Sequence, residues 1–282
     1  MDTARLKTFL EIYRVRHFGK TAERLFITPS AASARIKLLE EQLGVKLFTR
    51  RSHHSVIPTI AGQRLLKYTE AVVNNWEYAL QNVELPGDFQ QNIHIGCLSA
   101  IWHLYLLREF ARVQSALQAS ALSLSIHPAH LLTEQVLQGS LDLAFNFEPV
   151  HTPQMTYLKL PPLQLILQST VTPISLDDAL NERYIMIDWG TAFQFEYNQL
   201  INHSVRPTLY VNSGMMALDI LHHQNGAAYL SAQISQHHSV TAKLYPVESA
   251  PVFEREIYAV YRHDNAHYEL IQRLIDILNA PA

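Results

Sequence analysis

Apolar residues recur at helical spacing from the start of the chain. Leu6, Phe9, Leu10 and Tyr13 form one stripe, which predicts a helix over about residues 3–15. A break is expected at His17–Gly19, with His17 capping the junction, and a short second helix over 21–26 turns Ala22, Leu25 and Phe26 inward. In "ITPS", Thr28 stands where a helix cap belongs and Pro29 at the first helical position, where a missing N–H costs nothing. A third helix therefore starts at Pro29. Along it Ala32, Ile36, Leu39 and Leu43 repeat as the buried stripe, Gly44 ends it, and Ser30, Ser33, Ala34, Arg35 and Lys37 occupy the opposite face. The alternation in "VKLFTRRSHHSVIP" then predicts two short strands around a basic tip, a wing.

Thr59 caps a longer predicted helix that runs to about Val83. Its apolar positions, Leu65, Thr69, Val72, Trp76, Ala79 and Val83, with Leu66, Val73 and Leu80 one place on, keep a period nearer 3.5 than 3.6. That period suits a seam between two copies of the helix; the alternative is an amphipathic helix packed on its own chain. "LPGD" at 85–88 reads as a hinge. Beyond it strands and helices alternate: "NIHIGCL", a helix over 101–117, "LSLSIHP", a helix over 129–138 and "LDLAFNF". A second set follows, with "LQLILQS", "YIMIDW", "TLYVN", a helix over about 214–224, "AAYLS", "EIYAVYR" and a closing helix over 266–279. The expected fold class is α/β, with a parallel sheet covered by helices and two lobes enclosing a cleft.

Charge changes this picture most. Residues 1–70 carry 13 Lys and Arg against 6 Asp and Glu, a balance of +7, whereas the remainder carries 9 against 19, a balance of −10. A basic head on an acidic body points to a polyanion partner for the head, since clustered cations release condensed counterions from nucleic acid, although a merely solvated basic face would show the same count. A helix-turn-helix needs the leading turn of its second helix against base edges in the major groove, and bulky residues there would hold the helix off. Thr28, Pro29, Ser30 and Ala31 are slim enough to enter. Ser30 and Ser33 can then bond bases or phosphates, Arg35, Lys37, Arg50 and Arg51 neutralise the flanking backbone, and Arg50, Arg51, His53 and His54 of the wing reach the adjacent minor groove or phosphates.

Composition excludes several alternatives. No apolar run approaches the roughly 20 residues that span a bilayer, so no membrane partner is expected, and the N-terminus reads as a folded cytoplasmic start. Cys97 is the single cysteine and reads as a small buried hydrophobe. The 15 histidines include the pairs His53–His54, His222–His223 and His237–His238, but adjacent residues diverge by about 100° on a helix and lie on opposite faces of a strand, so no metal site is expected. With 9 glycines and no phosphate-cradling loop, no nucleotide cofactor or other cofactor is expected. Asp177 and Asp178 sit in "SLDDALNERY", which resembles a capped surface helix rather than a catalytic pair. No catalytic residue is assigned.

The head resembles the N-terminal domain of LysR-type transcriptional regulators. The resemblance rests on Leu6 and Phe9, Thr21-Ala22 and Leu25, Thr28, Ser33, Ile36, Leu39-Glu40, Leu43-Gly44, Leu47-Phe48, Arg50, Thr59 and Ala61-Gly62, and "RHFGKTAERLF" and "QLGVKLFTR" are most similar to the HdfR branch. It implies a winged helix-turn-helix at 1–58, a dimerising linker helix and hinge at 59–87, and a two-lobed, periplasmic-binding-protein-like effector domain at 88–282, with lobe I at about 90–162 and 263–282 and lobe II at about 163–262. Pro29 stands where the family usually has Gln, and the wing is one residue longer than usual with Pro58 where Leu is normal. The implied DNA-binding residues are Thr28, Pro29, Ser30, Ser33, Arg35, Lys37, Arg50, Arg51 and His53. The implied effector-binding residues are Ser99, Ala100, Ile101, His127, Asn146, Ser213 and Gly214, near the apolar Trp102, Phe145, Phe147, Trp189 and Phe193. The implied partners are double-stranded DNA, a small anionic or aromatic effector and a second copy of the chain, as homodimer or homotetramer, with RNA polymerase as a further candidate. The competing reading is an α/β solute-binding or enzymatic body whose basic helical head binds another protein.

Overall fold

A computed structural model describes residues 2–50, 55–83, 91–117, 120–149, 151–181, 183–201, 207, 209–232 and 243–280. The chain separates into two compact units, Met1–Glu84 and Leu85–Ala282.

In the first unit α1 spans Thr3–Val15, α2 Phe18–Arg24, α3 Pro29–Leu43 and α4 Ile60–Val83, with strands β1 Phe48–Arg50 and β2 Val56–Pro58 paired antiparallel before α4. Local caps set each boundary. The Asp2 carboxylate accepts from Ala4 N at 3.0 Å, His17 Nδ1 from Lys20 N at 3.2 Å, Thr28 Oγ1 from Ala31 N at 3.2 Å and Thr59 Oγ1 from Gly62 N at 3.1 Å. Gly44 closes α3 with φ +70°, where a Cβ would be strained. Leu6, Phe9, Ile12, Ile36, Leu39, Leu47, Phe48, Val56 and Val73 make the core.

Three expectations for this unit fail. His17 caps α2 as read, but α2 begins at Phe18, so Gly19 lies inside it. Phe26 is 96% exposed, not buried. Phe26 N donates to Glu23 O and Ile27 N to Ala22 O, the paired bonds of a left-handed helix stop, so Phe26 takes φ +53° and its side chain leaves the periodic stripe. Leu43 is 43% exposed, because the last turn of α3 overshoots the core and Glu40 turns inward instead. The seam of α4 divides as well: Thr69 and Val73 are buried and Leu65 and Val72 pack on the unit's own core, whereas Trp76, Leu80 and Val83 are exposed.

The second unit is a single mixed sheet, not the parallel one expected. Among the described residues its strands run in the order β4 (Ser120–Ile126), β3 (Gln91–Cys97), β5 (Leu143–Asn146), β11 (Phe253–Arg262), β6 (Met155–Ser169), β9 (Ala227–Ser231), β7 (Tyr184–Ile187) and β8 (Leu209–Val211), with β10 (Tyr245–Pro246) also on β6. The β4–β3–β5 and β9–β7–β8 groups are parallel. Each is a lobe, and β6 and β11 are the strands that carry the chain out and back between them. A returning strand has to run the other way, so the β5–β11, β11–β6 and β6–β9 pairs are antiparallel. The β11–β6 register shifts between Arg255 and Ile257, opposite Leu163 and Leu160; the intervening Pro161 and Pro162 have no N–H to give the ladder.

Helical turns Ser99–Ile101 (α5), a π stretch Trp102–Leu106 and α6 (Leu107–Ala116) follow β3 as one path. Helices α7 (Ala129–Gln138) and α11 (Tyr268–Asn279) also belong to the first lobe; α8 (Leu176–Asn181), α9 (Thr191–Leu200) and α10 (Gly214–His223) belong to the second. Helix α9 was not foreseen. Helix α8 is the capped surface helix expected, with Ser175 Oγ accepting from Asp178 N at 3.1 Å. Cys97 is buried and burial pushes its thiol up to about 12, in keeping with a packing role. Hinge residues 85–88 and His237–His238 lie outside the described residues.

Candidate nucleic-acid interface and effector cleft

The leading turn of α3 is bare. Thr28, Pro29, Ser30 and Ser33 are exposed, and the hydroxyls of Thr28 and Ser30 lie 3.0 Å apart. Thr28 spends its oxygen on the cap, so of the two it is Ser30 that keeps more capacity for an outside partner. Lys37 is exposed and pairs with Glu41 only loosely, at 3.7 Å. Arg35 departs from a purely outward role: it is half-buried and its Nη1 donates to Thr8 Oγ1 at 3.2 Å, tying α3 to α1. Arg50 ends β1, while the Arg50 side chain and Arg51, His53 and His54 lie outside the described residues.

Sequence reasoning missed what holds the wing. Glu40 is buried and accepts from Leu47 N at 2.8 Å, from Phe48 N at 3.3 Å and from Lys46 Nζ at 2.6 Å. Gly62 sits so close to the Leu47 carbonyl that a Cβ there would approach its oxygen to 2.3 Å. The wing strand therefore leaves α3 at a fixed place.

In the second unit the strand ends face a cleft of about 530 Å³ between the lobes. Ser99, Ala100, His127, Asn146 and Gly214 all line it. Ile101 does not: it is fully buried in the core, since it projects from the inner side of the first helical turn. Ser213, half-buried as the N-cap of α10, lies between two lining residues, Asn212 and Gly214, and is not itself part of the lining among the described residues. Of the aromatics, Phe147 and Trp189 line the cleft, Phe145 and Phe193 fill the core, and Trp102 packs on Phe110.

Polar order in the cleft is dense. His127 Nε2 lies 2.7 Å from Ser125 Oγ, and burial lowers the pKa of the ring, which favours the neutral form. Trp189 Nε1 donates to Tyr229 O at 2.9 Å and holds the indole in the wall. Three charged lining residues had no signal in the sequence: Glu148, Asp188 and Arg255. Arg255 is 3% exposed, lies 5.2 Å from the Phe147 ring centroid and donates from Nη2 to Glu148 Oε1 at 2.8 Å. Burial pushes the Glu148 carboxyl up, but the Ala192 N–H, Arg255 and the Thr191 N–H together hold it below the usual range.

Two family models cover the chain: "Bacterial regulatory helix-turn-helix protein, lysR family" over residues 3–63 and "LysR substrate binding domain" over 86–281. The chain belongs to the LysR family. The HTH-type transcriptional regulator HdfR of Yersinia enterocolitica is 31% identical over 98% of this chain and 95% of its own length, and HdfR of Yersinia pestis matches to the same extent. Among solved structures, the LysR family regulator CbnR superposes with a TM-score of 0.77 at 14% identity over 99% of this chain and 98% of its own, and CbnR in complex with its target DNA with 0.76 at 14% over 98% and 99%. A full-length OxyR variant from Pseudomonas aeruginosa gives 0.56 at 18% identity over 99% of each chain. As a LysR-type transcriptional regulator, this protein carries its DNA-binding helix-turn-helix in the first unit and its effector-binding domain in the second. Among the described residues, no helix is long and apolar enough to cross a membrane.

Proposed function

We propose that this LysR-type regulator docks the leading turn of α3 in the major groove, with Ser30 and Ser33 at base edges and Thr28 and Pro29 allowing the approach. Lys37, Arg50, Arg51, His53 and, through its position on α3, Arg35 supply the phosphate-facing charge. The exposed, capped and slim start of α3 carries this reading. The protein works in the cytoplasm without catalysis. Its regulatory domains are the winged head at 1–58, the linker helix at 59–87 and the effector domain at 88–282.

The cleft lined by Ser99, Ala100, His127, Asn146 and Gly214, with Ser213 opening α10, takes a small effector with an anionic group and an apolar or aromatic body. Support comes from the helix starts at Ser99 and Gly214 and from the Phe147 and Trp189 walls. Self-association is supported by two surfaces that no neighbour covers among the described residues: the exposed Trp76, Leu80 and Val83 of α4, and edge strand β4 with its exposed Leu124 and Ile126. A dimer places two recognition helices about one turn of DNA apart, a tetramer spans two such sites, and RNA polymerase reads the result.

The test is retardation of a duplex selected from a random pool by the full-length protein. Affinity should fall steeply as salt rises. Ser33→Trp should weaken the selected site far more than random DNA. Binding that ignores salt would support a protein partner for the head instead, and equal losses on both DNAs would remove Ser33 from the base edges.

A further inference from the structure

The cleft holds a carboxylate of its own. Glu148 follows β5 in the first lobe, and its two oxygens reach across to the head of α9 in the second: Oε1 accepts from Ala192 N at 2.9 Å and Oε2 from Thr191 N at 3.3 Å. The same Oε1 accepts from Nη2 of Arg255 at 2.8 Å. Arg255 rises from β11 at the register shift opposite Pro161 and Pro162, where the strands cross from one lobe to the other. Three donors from the far lobe and the crossing strand thus converge on one side chain of the near lobe. That is how a helix start and a guanidinium recognise a carboxylate ligand.

The surroundings are built for this contact. Gly190 caps α9 with φ +95°, and a Cβ on it would lie 2.8 Å from Arg255 Nη2 and 2.9 Å from Glu148 Oε1. Asn146 Oδ1 accepts from Glu148 N at 3.4 Å and fixes the backbone from which the carboxylate reaches. Arg255 is the single Lys or Arg that lines the cleft among the described residues, and its Nε is buried without a hydrogen-bond partner. An interlobe contact beside an interrupted ladder resists the very motion that the ladder permits.

We propose that Glu148 is a tethered ligand, which fills a carboxylate seat at the head of α9 and pins the two lobes together. Opening of the cleft, or entry of an effector whose carboxylate takes that seat, has to displace it. This rests on the effector reading of the cleft and adds to it the regulation of that site.

The experiment is pulsed electron double resonance on the full-length chain with spin labels at Glu134→Cys in α7 and Asn198→Cys in α9. The labelled chain is diluted with unlabelled chain so that each subunit is read alone. Both positions are exposed, and Cys97, 3% exposed, stays unlabelled. Glu148→Ala and Gly190→Ala should each shift and broaden the interlobe distance distribution, and concentrated sodium acetate, which competes for the seat without a tether to the near lobe, should move the parent distribution toward that of Glu148→Ala, whereas sodium chloride of equal ionic strength should not. If the uncompensated Arg255 prevents Glu148→Ala from folding, the pair Glu148→Ala with Arg255→Met removes both charges and the acceptor and should show the same shift. Variant distributions superposing on the parent would overturn the pin, and a parent distribution that is the same in acetate as in chloride would overturn the carboxylate seat. DNA retardation by the parent chain tests the regulator reading separately, because the distances do not depend on it.

Discussion

Removing the Glu40 carboxylate should loosen the β1–β2 hairpin from α3 by a calculable amount. In Glu40→Ala the buried N–H of Leu47 and that of Phe48 lose an ionised acceptor, at 2.8 and 3.3 Å. Hydrogen bonds to charged groups contribute about 1.5–3 kcal/mol each, and the longer of the two belongs at the low end. Lys46, whose side chain is 73% exposed, adds less than about 1 kcal/mol because water screens it. A loss of about 3 kcal/mol follows for opening of the segment that holds β1. Hydrogen exchange of the full-length chain, read by mass spectrometry on a peptide covering Leu47 and Phe48, should then speed up roughly a hundredfold, since 1.4 kcal/mol is a factor of ten. Glu40→Gln keeps one acceptor oxygen without the charge and should fall between. An acceleration below about threefold, or equal values for Ala and Gln, would mean that the carboxylate does not hold the strand and that the unit's apolar core alone positions the wing.

Other substitutions test the fold at single points. Gly62→Ala puts a Cβ 2.3 Å from the Leu47 carbonyl oxygen and should destabilise the first unit by more than about 3 kcal/mol, seen as early protease cleavage, while Gly44→Ala meets no atom within 4 Å and should cost only about 1 kcal/mol for its positive φ. Phe26→Asn should raise the denaturation midpoint by the equivalent of about 0.5–1 kcal/mol, because Asn tolerates φ +53° better and a side chain 96% exposed surrenders no burial; a fall in midpoint would refute the strain argument. Burial lowers the native pKa of His94 and of His127, so the unfolded chain binds protons first on acidification: the stability these rings contribute is complete well above pH ~6.5 and is lost as pH falls from there toward their depressed native values. The melting temperature of the second unit should accordingly drop between pH 7 and 5, and the drop should shrink in His94→Asn.

The head was legible because its information is local. Thr28, Pro29, Thr59 and Gly44 each fix a helix end through bonds to residues within a few positions, and such caps can be read without knowing the fold. Where a local rule is satisfied by the wrong residue type, the reading fails: the stop after α2 wants glycine, and Phe26 occupies it, so an aromatic that counts as core by periodicity ends on the surface. Burial of Glu40 was invisible for a related reason, since its acceptors are satisfied by backbone N–H groups that no side-chain pattern announces. The cleft hides more. Helix α9 buries Phe193 and Tyr197 but exposes Phe195 and Leu200, so apolar residues lie all round it and no stripe stands out. Glu148 and Arg255 are 107 residues apart, lie in no motif and meet only because β11 returns antiparallel beside β5 and β6, which is the one feature of the sheet that an alternating strand and helix order cannot express. Ser99 and Gly214 could be placed at the cleft from a family pattern because strand ends and helix starts are set by topology, whereas Glu148 and Arg255 reach it through a contact between lobes that no local pattern encodes.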